Sequence, residues 1–307
     1  SQSFPQDIPN QAVKSYLKSK DKWKFQPLEE ERLLQKHRYI GPTPESNWVI
    51  PGKLLVGAYP CSNDDAETFE LLTGILKWGV DTFVCLQLEY PAATVTEDEW
   101  RSGEALRPYY EDAKLIVQNK HRFQSLNNTE IVDINNLGFI HYPIRDCDIS
   151  DDEGVCALAI QLVQNIAAGR VLYLHCWGGH GRTGTLVSIM LHLMYNLTAK
   201  QAMHRCQIVH DMRTCPVEVG SPQTSSQRYQ VVRIIAALTK YAMGYKTNSV
   251  HSISNNSSCS DNRNTNVGIP IQSKIQIQGT NANPSPNPNT KHDANPSPNP
   301  GRGRGSN

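Results

Sequence analysis

Cys176 and Arg182 stand five residues apart, and three of those five are glycine: Cys176-Trp177-Gly178-Gly179-His180-Gly181-Arg182. A cysteine thiolate is a strong nucleophile, and a guanidinium can hold two oxygens of one oxyanion at once. Glycines between them free the backbone to turn successive N–H groups inward, making a ring of donors for an anion. Thr183-Gly184 and an apolar run follow, so the ring opens a helix, whose dipole favours negative charge at that end. The chemistry this implies is displacement at phosphorus. Cys176 attacks, the loop from Trp177 to Arg182 cradles the phosphoryl oxygens, and Arg182 grips harder as charge spreads in the transition state. The positive surroundings also favour the thiolate of Cys176. Thr183 can donate a hydrogen bond to the sulfur, and His175 is better placed to brace the loop backbone than to touch a substrate.

A cysteinyl-phosphate route further needs an acid for the leaving oxygen and then a base for water. Two aspartates lie upstream of Cys176 at the end of a strand-like run, in His141-Tyr142-Pro143-Ile144-Arg145-Asp146-Cys147-Asp148. Asp151 and Asp152 read instead as carboxylates at a helix N-terminus.

The elements that must position these residues alternate. Leu54–Tyr59, Thr82–Leu88 and Phe139–Ile144 read as strands, and Val171–Cys176 is an almost continuous apolar run, as in a strand covered on both faces. Between the last two, Val155, Leu158, Leu162 and Ile166 share one helical stripe, with Ser150 and Glu153 as a capping box. Three helices are predicted after Cys176. The last opens with Ser221-Pro222 as N-cap and first helical residue, and carries Val231, Ile234, Ile235 and Leu238. The fold class is therefore α/β, a central, mostly parallel sheet flanked by helices.

The segment His175-Cys176-x(5)-Arg182-Thr183-Gly184 resembles the signature of the cysteine-dependent protein tyrosine phosphatase superfamily, in its dual-specificity phosphatase-like form. Trp48-Val49-Ile50-Pro51-Gly52 through Pro60 looks like the opening strand of the smaller members. Arg107-Pro108-Tyr109 precedes the acid loop as in some of them, and Ser221-Pro222-Gln223-Thr224-Ser225-Ser226-Gln227 is similar to the start of their final helix. Together these span roughly residues 46–243. The resemblance implies that one aspartate serves as acid and then base. Pro143-Ile144-Arg145-Asp146 matches its pattern, with Asp148 as the substitute, and Gln227 or Gln223 would orient water. Lys36-His37-Arg38-Tyr39 is similar to the loop with which larger tyrosine-specific enzymes stack phosphotyrosine, but departs at its first residue.

By this reading residues 1–45 form a partly helical N-terminal extension, with Leu28–Tyr39 a short helix. Residues 46–245 form the catalytic domain, and 246–307 an Asn/Ser/Pro-rich tail too poor in apolar residues to order itself. The formal net charge of +1 offers no global field to draw in nucleic acid. The polar start of the chain shows no leader, and Thr185–Leu197, interrupted by Ser188, His192 and Asn196, is too short and polar for a membrane segment. Eight cysteines without a C-x-x-C pair suit a reducing, cytoplasmic or nuclear setting. His204, Cys206 and His210 do not share a helix face, so no metal is expected, and no cofactor. Cys85 reads as a packed core cysteine on a strand beside Val171–Cys176, with the trapping of oxidised Cys176 as a disulfide as the alternative. The expected partner is a phosphorylated protein, met as a monomer. Three rival readings remain: a phosphoinositide or RNA 5′-phosphate as substrate, a phosphoprotein-binding module with little turnover, and a sulfur carrier of the rhodanese type. The last has no use for the aspartate.

Overall fold

The computed structural model describes residues 10–91, 94–120 and 131–253. Five strands make one sheet in the order β1 (Ser46–Ile50), β2 (Leu54–Gly57), β5 (Leu172–His175), β3 (Thr82–Gln87), β4 (Gly138–Ile144). Only the β1–β2 pair is antiparallel; β2–β5, β5–β3 and β3–β4 run parallel. The burial follows from the positions. β2, β3 and β5 are buried at every residue, whereas β4 at the edge is only partly covered and accommodates Pro143, which has no N–H to pair.

Helices supply the crossovers. α3 (Asp65–Lys77) joins β2 to β3, α4 (Glu97–Ser102) and α5 (Tyr109–Gln118) lie between β3 and β4, and α6 (Asp152–Ala167) leads from β4 to β5. α3 packs on α5, whereas α7 (Gly181–Tyr195) packs on α6, α8 (Ala199–His210) and α9 (Ser225–Ile253). α7 is buried continuously from Gly181 to Leu191, so the helix that receives the loop is also the centre of one helical layer.

Some ends differ from expectation. α6 is capped by Asp151, which accepts from Gly154 N at 2.5 Å, and not by Ser150, whose hydroxyl faces Asp151 and Tyr142. α9 starts at Ser225, not at Pro222. The Ser221 hydroxyl donates to the His180 carbonyl and is unavailable as a cap, and Thr224 Oγ1 accepts from Gln227 N instead. α9 also continues to Ile253, past the expected boundary at 245, because no Gly or Pro follows Lys246 soon enough to stop it. The remainder of the tail lies outside the described residues.

The N-terminal extension joins the main core. Val13, Tyr16 and Leu17 of α1 (Asn10–Ser19) are buried in it, α1 packs on α6, and the Tyr16 hydroxyl donates to the Leu193 carbonyl. The helix expected over Leu28–Tyr39 is broken into a turn, Glu31–Leu33, and one helical turn, α2 (Lys36–Tyr39), with Leu34 and Gln35 extended between them. Tertiary bonds override the local pattern: buried Arg205 binds both the Glu29 carbonyl (2.8 Å) and the Tyr39 hydroxyl (3.0 Å).

Candidate active site

β5 delivers Cys176 at its C-terminal end, 3% exposed, and α7 begins five residues later at Gly181. Gly179 has φ +71°, and a Cβ there would lie 2.3 Å from the Gly57 carbonyl oxygen, so neither conformation nor space admits a side chain. The loop is held from outside. Arg213, 1% exposed, donates from Nη1 to the Gly178 carbonyl (2.8 Å) and from Nη2 to the Gly179 carbonyl (3.0 Å), while Asn47 fixes its Nε (2.8 Å). The Ser221 hydroxyl takes the next carbonyl, that of His180, at 3.1 Å. With three consecutive carbonyls tied outward, the following N–H groups turn to the inside, as an anion nest requires.

Arg182 is 2% exposed. Nη1 donates to the Ile144 carbonyl (2.8 Å) and to Glu89 Oε2 (3.0 Å), and Nη2 to Asp146 Oδ1 (2.7 Å). Its Nε is buried without a partner. Burial opposes the charge, but Cys176, Glu89 and Asp146 hold the guanidinium above the ordinary arginine range. Burial likewise works against Glu89, yet backbone N–H groups and Arg182 keep its carboxyl below its usual value. The edge formed by Nε and Nη2 is the one that matches two oxygens of a tetrahedral anion. Thr183, at 1% exposure, also has a buried hydroxyl without a partner.

The two candidate acids part company. Asp146 reaches Arg182 with its side chain 59% exposed, whereas Asp148 turns Oδ1 onto the N–H of Ile149 (2.8 Å). Between them Cys147 adopts φ +59°, which bends the loop. Gln227 is not solvent-facing. It is 1% exposed, and a Cβ on Gly181 would meet its amide at 2.8 Å. Its Oε1 accepts from Gln223 N (3.2 Å) and Thr224 N (2.9 Å), and its Nε2 donates to the Asp148 carbonyl (3.2 Å). It therefore ties the acid loop to the start of α9 while packing on the phosphate loop.

His175 is fully buried, and burial, then nearby Arg182 and His141, pushes its pKa down to about 3 despite the bond to the Cys176 carbonyl. The ring is neutral, so its contacts define the tautomer. The Cys176 carbonyl can only accept, at 3.1 Å from Nδ1, so Nδ1 carries the proton and Nε2 accepts from the Tyr109 hydroxyl at 2.6 Å. Trp177 lies 56% exposed at the mouth, stacked on Tyr59 at 5.9 Å and 11°.

Other sequence candidates fall elsewhere. Tyr39 is 2% exposed, with its hydroxyl on Arg205 and Glu29, so it cannot stack a substrate ring. Cys85 is opposite His175 in the β3–β5 register, and burial pushes its thiol up to about 12. His204 meets Glu31, Cys206 meets Ser221, and His210 meets His180, three separate directions. Among the described residues no group of three His, Cys, Asp or Glu side chains is arranged to hold a metal ion. Sequence reasoning missed Glu89, Tyr109 as a partner of His175, and Arg213. Glu89 alone had a usable signal, a carboxylate just past the C-terminal end of a buried strand, where open α/β sheets bind ligands.

Residues 122–237 match the family model described as PTP-SAK, Swiss Army Knife protein, DSP-PTPase phosphatase domain. A protein of Invertebrate iridescent virus 3, 067L, provisionally named a tyrosine phosphatase, is 33% identical over 79 residues, 24% of this chain and 33% of that protein. Another with the same provisional name, 197R of Invertebrate iridescent virus 6, is 26% identical over 193 residues, 62% of this chain and 53% of that protein. The chain thus spans a third to about half the length of these relatives. Among solved structures, Tk-PTP in its active form aligns over 63% of this chain and 97% of its own, with a TM-score of 0.39 and 18% identity. Kinase associated phosphatase, with its catalytic-site cysteine replaced by serine, aligns over 61% of this chain and 87% of its own, with a TM-score of 0.42 and 16% identity. The sequence signature and the family match agree: over residues 122–237 the chain is similar to the dual-specificity-type phosphatase domains of the cysteine-dependent protein tyrosine phosphatase superfamily.

Proposed function

We propose that this chain is a metal-independent phosphoric monoester hydrolase that acts on phosphotyrosine in proteins, with phosphoserine and phosphothreonine as secondary substrates. The observation that carries the reading is the buried, unpartnered Nε of Arg182, beside Cys176 and on the guanidinium that Asp146 also binds. A buried donor left open is costly unless a ligand completes it. In the proposed reaction the Cys176 thiolate attacks phosphorus, the S–P bond forms, and the ester P–O bond breaks. Arg182 and the loop amides hold the non-bridging oxygens, and Asp146 gives its proton to the leaving oxygen. Asp146, now a carboxylate, then takes a proton from the water that attacks phosphorus. The S–P bond breaks, and Thr183 donates to the departing sulfur. His175 supports the loop through the Cys176 carbonyl, and Gln227 supports the acid loop.

The choice of a singly phosphorylated side chain over a phosphoinositide or an RNA 5′ phosphate is supported by the charges around the loop. Glu89 and Asp146 both sit on Arg182. Burial, then Arg213 and His210, holds His180 down to about 4, so it brings no positive charge at neutral pH. A polyanion would meet carboxylates there. The test combines Cys176→Ser with a substrate panel of phosphotyrosine, phosphoserine and phosphothreonine peptides, phosphoinositides and 5′-phosphorylated RNA. Cys176→Ser should lose turnover and keep phosphopeptide binding; more than a trace of residual rate would rule out the covalent route. Faster turnover of phosphoinositide or RNA than of phosphotyrosine peptide would overturn the substrate assignment.

A further inference from the structure

A three-membered chain of ionisable side chains runs from the surface to the back of the phosphate loop. Asp211 Oδ1 lies 3.0 Å from His210 Nδ1, and His210 Nε2 lies 2.7 Å from His180 Nδ1. Asp211 is itself held by Gln207, whose Nε2 donates to the same Oδ1 at 2.7 Å. His210 is 2% exposed at the end of α8, and the rings of His180 and His210 meet edge-on at 4.9 Å and 70°. Burial, then the positive charge of Arg213, holds both histidines below their ordinary range.

The donors in this chain can be assigned. The Asp211 carboxylate accepts, so His210 Nδ1 carries its proton and a neutral His210 presents a lone pair at Nε2. His180 must then donate from Nδ1, which leaves its own Nε2 bare. His180 is a loop residue whose carbonyl is tied by Ser221, and its Nε2 occupies the space where a Cβ on Gly178 would sit, 2.3 Å away. Fixing this ring therefore fixes the packing against Gly178. His210 and Arg213, three residues apart, thus hold Gly178, Gly179 and His180 from one short segment of chain.

We propose that His210, oriented by Asp211, is a positioning residue for phosphate binding, which locks the Nδ1–H tautomer and ring plane of His180 and so keeps the loop in its anion-binding shape. The proposal rests on the phosphatase reading of the loop, but its first test does not. Ring-nitrogen NMR of the wild-type protein should show His180 protonated at Nδ1 and bare at Nε2. His210→Leu should abolish that fixed tautomer, and His210→Gln, which still offers an acceptor, should keep it.

The second test is calorimetric binding of orthovanadate. His210→Leu should weaken it about 3- to 10-fold, the loss of roughly one positioned hydrogen bond. His210→Gln should stay within about 2-fold of wild type, and His180→Leu/His210→Leu should be no worse than His180→Leu alone. Additive losses in the double variant, or His210→Gln as weak as His210→Leu, would overturn the proposal. So would a His180 ring protonated at Nε2 in the wild-type protein. If His210→Leu does not fold, the wild-type spectrum and the glutamine variant decide. Vanadate binding that follows these expectations in a protein without phosphatase turnover would sink the functional reading and leave this one standing.

Discussion

Asp146 Oδ1 lies 2.7 Å from Arg182 Nη2, on the guanidinium edge whose other donor, Nε, is buried and unpartnered. An incoming phosphate must share or take that edge, which would move the exposed Asp146 carboxyl off Arg182 and toward the ester oxygen. General-acid assistance is worth about 10²–10⁴-fold for a poor leaving group. Asp146→Asn should therefore slow phosphoenzyme formation by that range for tyrosine-like phenols, and by much less for phenols acidic enough to leave unaided. Asp148→Asn, whose carboxyl in the native protein is occupied by the Ile149 N–H, should show neither pattern. Single-turnover release from aryl phosphates of graded leaving-group pKa measures both. A leaving-group dependence that follows Asp148 would move the acid two residues along.

Arg182→Lys tests the fork. A lysine keeps the charge but has one ammonium where Arg182 makes bonds to Ile144, Glu89 and Asp146 and leaves Nε open. Removing one preorganised transition-state donor costs about 10²–10³-fold in kcat. The lysine variant should lose at least that on aryl phosphates, in protein that still melts cooperatively even though the lost bond to the Ile144 carbonyl lowers its melting temperature. A loss under about 10-fold would mean that charge alone suffices and that the bidentate edge is not used.

What was legible in the sequence was what repeats or runs locally. The buried strands announced themselves as apolar runs, and Cys176, the glycines and Arg182 as one contiguous loop. Asp146 stood out as the candidate acid, ahead of Asp148, through the Pro143-Ile144-Arg145-Asp146 pattern of the family the chain resembles, and its carboxyl lies on Arg182. The rest arrives from afar. Arg213 reaches Gly178 and Gly179 from beyond α8, Tyr109 reaches His175 from the start of α5, and Glu89 reaches Arg182 from the end of β3. Nothing near Arg213 or Tyr109 in the chain marks them as partners of the loop, and Glu89 is marked only by its place just past the end of a buried strand; which groups they meet is fixed by the tertiary fold. The same holds for Tyr39, whose local string suggested a substrate contact that Arg205, far along the chain, takes instead.

Tyr109→Phe probes the support beneath the nucleophile. The change keeps the ring, which packs edge-on against Tyr59 and His175, and removes the hydroxyl that donates to His175 Nε2. A buried acceptor left alone costs about 1–3 kcal/mol. Urea unfolding at neutral pH should show a loss in that range, with only a modest change in the rate on an aryl phosphate. Unchanged stability would mean that the Tyr109–His175 bond contributes nothing net.

The buried histidines make stability fall on the acid side of neutrality. His175 is held at about 3 and His180 at about 4, in both cases chiefly by burial, and His192 and His210 are also lowered for the same first reason. In the unfolded chain these rings take up protons near the ordinary value of about 6.5. Between that pH and the folded values the unfolded state binds more protons, so stability is present above about 6.5 and is lost progressively as pH falls. For fully buried His175 alone the slope approaches about 1.4 kcal/mol per pH unit well below 6.5. The lowered carboxyl of Glu89 acts in the same direction but only nearer its own, more acidic range. Urea unfolding measured from pH 7.5 to 5.0 therefore isolates the histidine contribution, and stability should drop across that interval. In the Tyr109→Phe variant His175 loses its donor at Nε2 and can there accept a proton instead, which raises its folded pKa and flattens the slope. A curve that is level from 7.5 to 5.0 in the wild-type protein would mean that these rings carry protons in the folded state, and the tautomer assigned to His175 would be wrong.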